Sequence, residues 1–379
     1  MTIWLKKNLE GDYQIWTVIA ALSIISIVVV ASASGRLAVQ GGGSIFFLVI
    51  KHAIYMSVGL GAMWFFHRFD YHKIAAFSNI GVFLSIGLLL YAYKFEHGIN
   101  NANRWIHLGG MTFMPSDIAK LSLITNLAFM LAKRQHLEYS FKDVLPMTAK
   151  IIAICGCIAL TNVSTSALLF ATCFLLMFIG RVPSNFLLMT LVGIFIVGTF
   201  LVTFGVGTRI ETARNRIANF TIGLIGKKTS DAGKDADYQI ERSYYAIANG
   251  GFTGKGPGKS QQRYFLSESE SDFIYAIIIE EWGMLGGLFV LCLYLWLLYR
   301  GMKAVDSSGR AFGGLLSAGL TFSLVIQAMV HMGVATGLGP VTGQPLPLLS
   351  MGGSSLLFTG AMIGIIISVS KDKIKDSVL

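Results

Sequence analysis

Apolar runs of about 18–25 residues recur along the whole chain, each close to the length a helix needs to cross a bilayer, and nothing else constrains its fold as tightly. Lipid offers no hydrogen bonds to open backbone groups, so such runs must close their N–H and C=O groups within themselves, as helices do. Charged residues are 13% of the 379 positions, about half the share usual in a soluble chain. The chain reads as all-α: a polytopic integral membrane protein with about ten transmembrane helices in one membrane domain. The expected spans are 15–34, 45–66, 74–93, 117–132, 144–162, 164–180, 184–205, 272–299, 312–336 and 351–370, with one large extracytoplasmic loop over about 206–271.

The first run ends in Ala31-Ser32-Ala33, which mimics a signal-peptide cleavage site. At about 19 residues it exceeds the roughly 7–15 of a signal core, so it is read as a retained span. The four cysteines all lie inside apolar runs and read as small core residues, not as disulfides or metal ligands. The net charge of +10 suits anionic lipid headgroups and gives no reason to expect nucleic acid. With ten spans both termini share a side. Short loops on that side hold fourteen Lys/Arg, from Lys6 and Lys7 to Lys373 and Lys375, whereas short loops on the other side hold little beyond Arg36, Lys94 and Arg104. Positive residues in short loops mark the cytoplasm, so both termini are expected there, in a bacterial inner membrane. No symmetry-related pair of broken helices stands out, which weighs against a secondary transporter.

The polar residues concentrate on the extracytoplasmic side. Asp272 closes the charged, hydroxyl-rich stretch Gly258–Ser271 and leads into Phe273-Ile274-Tyr275. A carboxylate there stands where water, headgroups and hydrocarbon meet, a place to hold a lipid-linked polar substrate. The 206–271 loop carries ten Lys/Arg against seven Asp/Glu, which an anionic ligand would explain. Within it, Arg214 and Arg216 fit a short amphipathic surface helix and could fork onto phosphate. Gly254–Ser260 is one residue short of a Walker A spacing and lacks its strand-to-helix context. Its glycines with Lys255 and Lys259 suit either a looser anion cradle or an ordinary loop.

Pro115-Ser116-Asp117 is a helix start, and Lys120, one turn in, must pair with Asp117 or line a wet cavity. Glu280-Glu281 inside a span would face protein or water, as an ion pair with neighbouring spans or as part of a pathway. The segment 339–355 holds three of the seven prolines and cannot be regular helix. At membrane depth it must be buried in protein or line a cavity. Gly353-Ser354 then opens the last span with free N–H groups. His331 is read as a packed histidine.

Taken together, Asn103-Arg104-Trp105-Ile106, Pro115-Ser116-Asp117 with Lys120, the Gly250–Asp272 stretch, Glu280-Glu281 and Pro345–Ser355 resemble the SEDS family over essentially the whole chain. The resemblance implies a peptidoglycan glycosyltransferase that polymerises lipid II beside a class B penicillin-binding protein and other divisome proteins. It puts the essential carboxylate at Asp272 and substrate contacts at Arg104 and Lys120. Arg214, Arg216, Lys259, Arg263, Glu268 and Ser354 are the further candidates for substrate binding. It also implies a possible divalent cation, Mg2+ or Mn2+, with no ligand set visible. The 336–355 stretch is more like the division members than the elongation members. A lipid II flippase and a non-catalytic scaffold for a transpeptidase are the competing readings. Met114, Asp117, Asn162 and Ser267 depart from the common family pattern.

Overall fold

The computed structural model describes residues 9–40, 44–95, 105–108, 111–135, 137–203, 210–224 and 234–371. Ten helices carry the spans: α1 (Tyr13–Ala33), α3 (Ile45–Arg68), α4 (Tyr71–Phe95), α5 (Pro115–Ala132), α6 (Phe141–Ala159), α7 (Val163–Ile179), α8 (Ser184–Thr203), α11 (Ile274–Ser307), α12 (Ala311–Ala335) and α13 (Ser354–Ser370). Three others, α2 (Gly35–Gln40), α9 (Ile210–Leu224) and α10 (Lys234–Gly250), lie in the connections. A two-stranded hairpin, β1 (Ile106–Leu108) and β2 (Met111–Phe113), precedes α5.

Sequence decides where several helices begin. Asp12 accepts from Gln14 N at 2.9 Å to cap α1, Ser140 and Asp143 form a capping box on α6, and Asn162 accepts from Thr165 N at 3.1 Å to cap α7. The helices associate through close backbone contact as well as apolar side chains. At the α3–α13 crossing, a Cβ on Gly360 would lie 2.0 Å from the carbonyl oxygen of Gly59, so only glycine lets these backbones meet. Outward faces of α3, α4 and α8 stay apolar and exposed, for example Phe46, Phe83 and Phe195, as lipid-facing surfaces require.

One face of the bundle gathers the first and last described residues. There Arg300 pairs with Asp12, and Lys371 meets Glu10 at 2.8 Å. This is called the terminal face. The opposite, loop face carries α9, α10 and residues 251–273.

The expected span 272–299 is corrected by the structure. Helix α11 is broken at Gly283, whose φ of 70° and ψ of −174° are closed to other residues. The hydroxyl of Tyr275 donates to Gly287 O at 3.1 Å, although twelve residues of straight helix would separate them by about 18 Å. The 274–282 arm therefore folds back on the 284–307 arm. Residues 251–256 seal the break. Lys255 N and Gly256 N donate to Glu280 O and Glu281 O at 3.0 and 2.8 Å, while Met284 N donates to Gly251 O at 2.9 Å. These bonds give freed backbone groups partners inside the protein, as membrane depth requires.

Candidate active site

The proline-rich segment is irregular and buried, and its backbone is held from all sides. His331 Nδ1 bonds Gln344 O at 2.7 Å, Gln327 Nε2 donates to Pro345 O at 2.8 Å, and the Tyr294 hydroxyl donates to Pro347 O. Ser26 Oγ donates to Leu349 O at 3.0 Å. Met351 N donates to Glu270 O at 2.9 Å, and Ser350 Oγ donates to Ser271 O at 2.6 Å. Gln327 lies eight residues inside the loop-face end of α12, about 12 Å along its axis. Ser26 lies about 10 Å inside the corresponding end of α1. The segment thus dips from the loop face into the bundle.

The strand of chain before α11 dips to meet it. Ser269 Oγ donates to Ala33 O at 3.1 Å, at the rim, and the next residues reach Met351 and Ser350 below. Asp272 follows, half-buried, one residue before the cap of α11. Its Oδ2 lies 3.3 Å from the position a Cβ would take on Gly343, and Nη1 of Arg216, from α9, lies 3.8 Å from the same point. A carboxylate and a guanidinium therefore meet over one glycine, where two re-entrant segments from distant parts of the chain join. This arrangement can take a proton from a hydroxyl and hold an anionic oxygen nearby.

Lys120 is tied to the same segment at one remove. It is buried on α5, pairs with Asp117 at 3.0 Å and reaches Gln327 Oε1 at 3.5 Å, while the other end of Gln327 holds Pro345. Ser354 is buried at the first turn of α13, where its hydroxyl accepts from Met114 N at 3.2 Å, next to the start of α5. Of the other candidates, Arg214 is exposed on α9 and Glu268 is exposed and accepts from Ser271 Oγ at 3.0 Å. Lys259 is exposed, its stem lying over Gly256. Arg263 is turned away: its Nη1 donates to Ser32 O and Oγ at 3.1 and 3.0 Å, fastening the loop to α1. Arg104 lies outside the described residues.

Two expectations change. Among the described residues, Glu280 and Glu281 form no ion pair with a neighbouring span. Glu280 takes Lys255 Nζ at 3.1 Å, the Ser260 hydroxyl, and the N–H groups of Gln261 and Gln262, each at 3.2 Å. Glu281 takes Ser260 N at 3.2 Å and the Ser32 hydroxyl. The glycine loop is accordingly no anion cradle. Its N–H groups at 255 and 256 are spent on the helix break, and its first lysine on Glu280. Sequence reasoning missed Gln327, Gln344 and Glu270. Gln327, a lone amide in an apolar run, carried a signal. Glu270 carried none; it is 6% exposed, and burial pushes its carboxyl up from the usual range.

Among the described residues no group of three or more His, Cys, Asp or Glu side chains is placed to hold a metal. The neighbour of Asp272 at Gly343 is a cation, so these residues do not fit a resident Mg2+ or Mn2+ site.

The family model for FtsW, RodA and SpoVE, described as cell cycle protein, matches residues 12–375. A probable peptidoglycan glycosyltransferase FtsW of Bacillus subtilis is 34% identical over 382 residues, covering 97% of this chain and 92% of that protein. Stage V sporulation protein E of the same organism is 30% identical, over 96% and 98% of the two chains. Among solved structures, a chain of a peptidoglycan synthase complex superposes with a TM-score of 0.77 at 23% identity, over 97% of this chain and 100% of that one. The rod shape determining protein RodA of Thermus thermophilus gives 0.69 at 23% identity, over 96% and 98%.

Proposed function

Because this chain belongs to the FtsW/RodA/SpoVE family of cell cycle proteins, we propose that the Asp272–Arg216 cleft is the reacting centre of a peptidoglycan glycosyltransferase. The enzyme polymerises lipid II into glycan strands during cell division. The division role, over an elongation role, is supported by the 34% identity to the FtsW relative over nearly the whole of both chains. The observation that carries the reading is the meeting of Asp272 Oδ2 and Arg216 Nη1 at Gly343, inside a multi-pass bundle and below its rim.

Two lipid-linked sugars bind in the cleft. The 4-hydroxyl of the acceptor attacks the anomeric carbon of the donor, and Asp272 takes its proton. The bond from that carbon to the pyrophosphate oxygen breaks, and undecaprenyl pyrophosphate leaves with the electron pair. An α-linked donor gives a β-linked product, so the attack comes from the face opposite the leaving group. Arg216 meets the charge growing on the pyrophosphate, and Lys120, Arg104 and Ser354 extend the anionic subsite. Any Mg2+ or Mn2+ would come with the substrate pyrophosphate and offset its charge. The loop face is the extracytoplasmic side of the bacterial inner membrane and the terminal face is cytoplasmic, in keeping with the basic residues of the short terminal-face loops. The partner is a class B penicillin-binding protein, assembled with other divisome proteins. Support for that pairing comes from a fold shared with a peptidoglycan synthase complex.

Polymerisation of labelled lipid II by the purified chain, with and without the transpeptidase, tests the reading. A general base is worth about 10²–10⁴ in rate, so Asp272→Ala and Asp272→Asn should lose the glycan ladder while melting like the native chain. Native rates in either variant would reject Asp272 as the base. No ladder from the native pair, beside an active control polymerase, would instead favour a flippase or scaffold.

A further inference from the structure

Far from the cleft, Lys150 sits on α6 nine residues past its terminal-face start, about 13 Å along the helix. An ammonium has three N–H donors. Two of these reach Asn79 Oδ1 at 2.7 Å and Asn126 Oδ1 at 2.9 Å, and the remaining neighbour is the Met130 sulfur at 3.6 Å, a weak acceptor. Among the described residues no carboxylate pairs with it. A cation within a spanning helix needs a partner or a wet cavity, so the missing anion has to be accounted for.

The surrounding amides supply no negative charge and point to where one would sit. Asn126 is paired at both ends, since its Oδ1 takes Lys150 and its Nδ2 donates to Ser78 Oγ at 3.1 Å. Asn79 is not. A lysine can only donate, so the oxygen of Asn79 faces Lys150 and its NH₂ group faces away. Among the described residues that NH₂ has no acceptor. Asn79 is exposed on the lipid-facing side of α4, flanked by Phe77 and Ile80 at 65% and 64% exposure. The Asn79 NH₂ and the third Lys150 N–H, which has only the weak sulfur acceptor, therefore stand beside hydrocarbon, which cannot satisfy them. Helices α4 and α6 both start at the terminal face, and helical side chains lean toward the N-terminus. Both groups thus lean toward the headgroup layer, where Lys73, Lys133 and Lys142 add positive potential.

We propose that Lys150, Asn79 and Asn126 form a binding site for the phosphate headgroup of an anionic phospholipid from the terminal-face leaflet. The phosphate oxygens take the remaining ammonium N–H and the Asn79 amide, and the acyl chains lie along the exposed apolar face of α4. The site stands apart from the glycosyltransferase reading and is tested without it.

The test measures lipid retention by native mass spectrometry, and melting temperature, for the purified chain. Phosphatidylglycerol, phosphatidylcholine with matched acyl chains, and glycerol phosphate alone are each titrated. The native chain should hold phosphatidylglycerol about tenfold more tightly than Lys150→Met, the size of one lost charge-assisted hydrogen bond, and more tightly than phosphatidylcholine, whose choline cation offsets its phosphate. Asn79→Leu alters an exposed position, keeps the fold, and should also weaken phosphatidylglycerol. Equal retention of phosphatidylglycerol by the native chain and both variants overturns the site. Saturation by glycerol phosphate at the same concentration, with no gain from acyl chains, overturns the lipid assignment.

Discussion

Replacing Gly343 by alanine adds one methyl where the two charged groups meet and leaves every charge in place. At a φ of 64° an L-residue costs about 1–2 kcal/mol, so the variant should melt lower but still fold. Its methyl would lie 3.3 Å from Asp272 Oδ2 and 3.8 Å from Arg216 Nη1. A hydroxyl giving its proton to Asp272 must come within about 3 Å of it, into space the methyl takes up. Displacing a reacting group by about 1 Å costs roughly 10²-fold, so lipid II polymerisation should fall by at least that factor, about 2.7 kcal/mol of barrier. The assay is the initial rate of glycan formation beside a thermal melt. Gly339→Ala is the control, because a Cβ there meets nothing within 4 Å and its φ is ordinary. The double variant Gly343→Ala/Asp272→Ala should be no slower than Asp272→Ala alone, since both act on one group. A Gly343→Ala chain that polymerises within about twofold of the native rate refutes the argument that this point is the reacting centre.

Gln327→Leu removes the donor to Pro345 O and the neighbour of Lys120 together; leaving a buried carbonyl unpaired costs about 1–3 kcal/mol, so the melt should drop and polymerisation should fall about tenfold. An unchanged melt would show that the proline-rich segment is held without it. Glu270 gives a pH dependence. Burial raises its carboxyl above the ordinary 4.5, so between that value and the raised one the native state keeps a proton that the unfolded chain has lost. Stability should therefore fall as pH rises through this window, and Glu270→Gln should flatten the slope in melts from pH 4 to 7. An identical slope in the variant assigns the effect to another group.

Which parts of this molecule could be read from its residues follows from what each part depends on. Apolar length fixes a spanning helix locally, so the spans could be read to within a few residues, and the fifth and sixth separate at Leu160–Asn162 because Asn162 caps α7. The prolines of 339–355 likewise exclude helix by their own chemistry. The break at Gly283 was only half legible. Gly283, Gly286 and Gly287 permit a kink, but the fold-back depends on residues 251–256 arriving to take the freed backbone groups, a pairing no local pattern encodes. The same holds for Arg216. Nothing in its sequence distinguishes it from Arg214 one turn-half away, yet α9 leaves one half-buried beside Gly343 and the other exposed. Arg263 and Glu280 show the opposite failure, since charged groups that looked poised for a ligand are fastening the loop to α1 and α11.

The holding of the proline-rich segment also sets an order of manufacture. Ser26, Glu270, Ser271, Tyr294, Gln327 and His331, which grip residues 344–351, all precede that segment in the chain. Among the described residues, twelve of the thirteen α-helices precede Gly343, so the glycine beside Asp272 is made late. On the proposed reading, the polypeptide therefore lacks its reacting centre for nearly all of its synthesis, and gains it only when its last stretch drops into a receptacle already built.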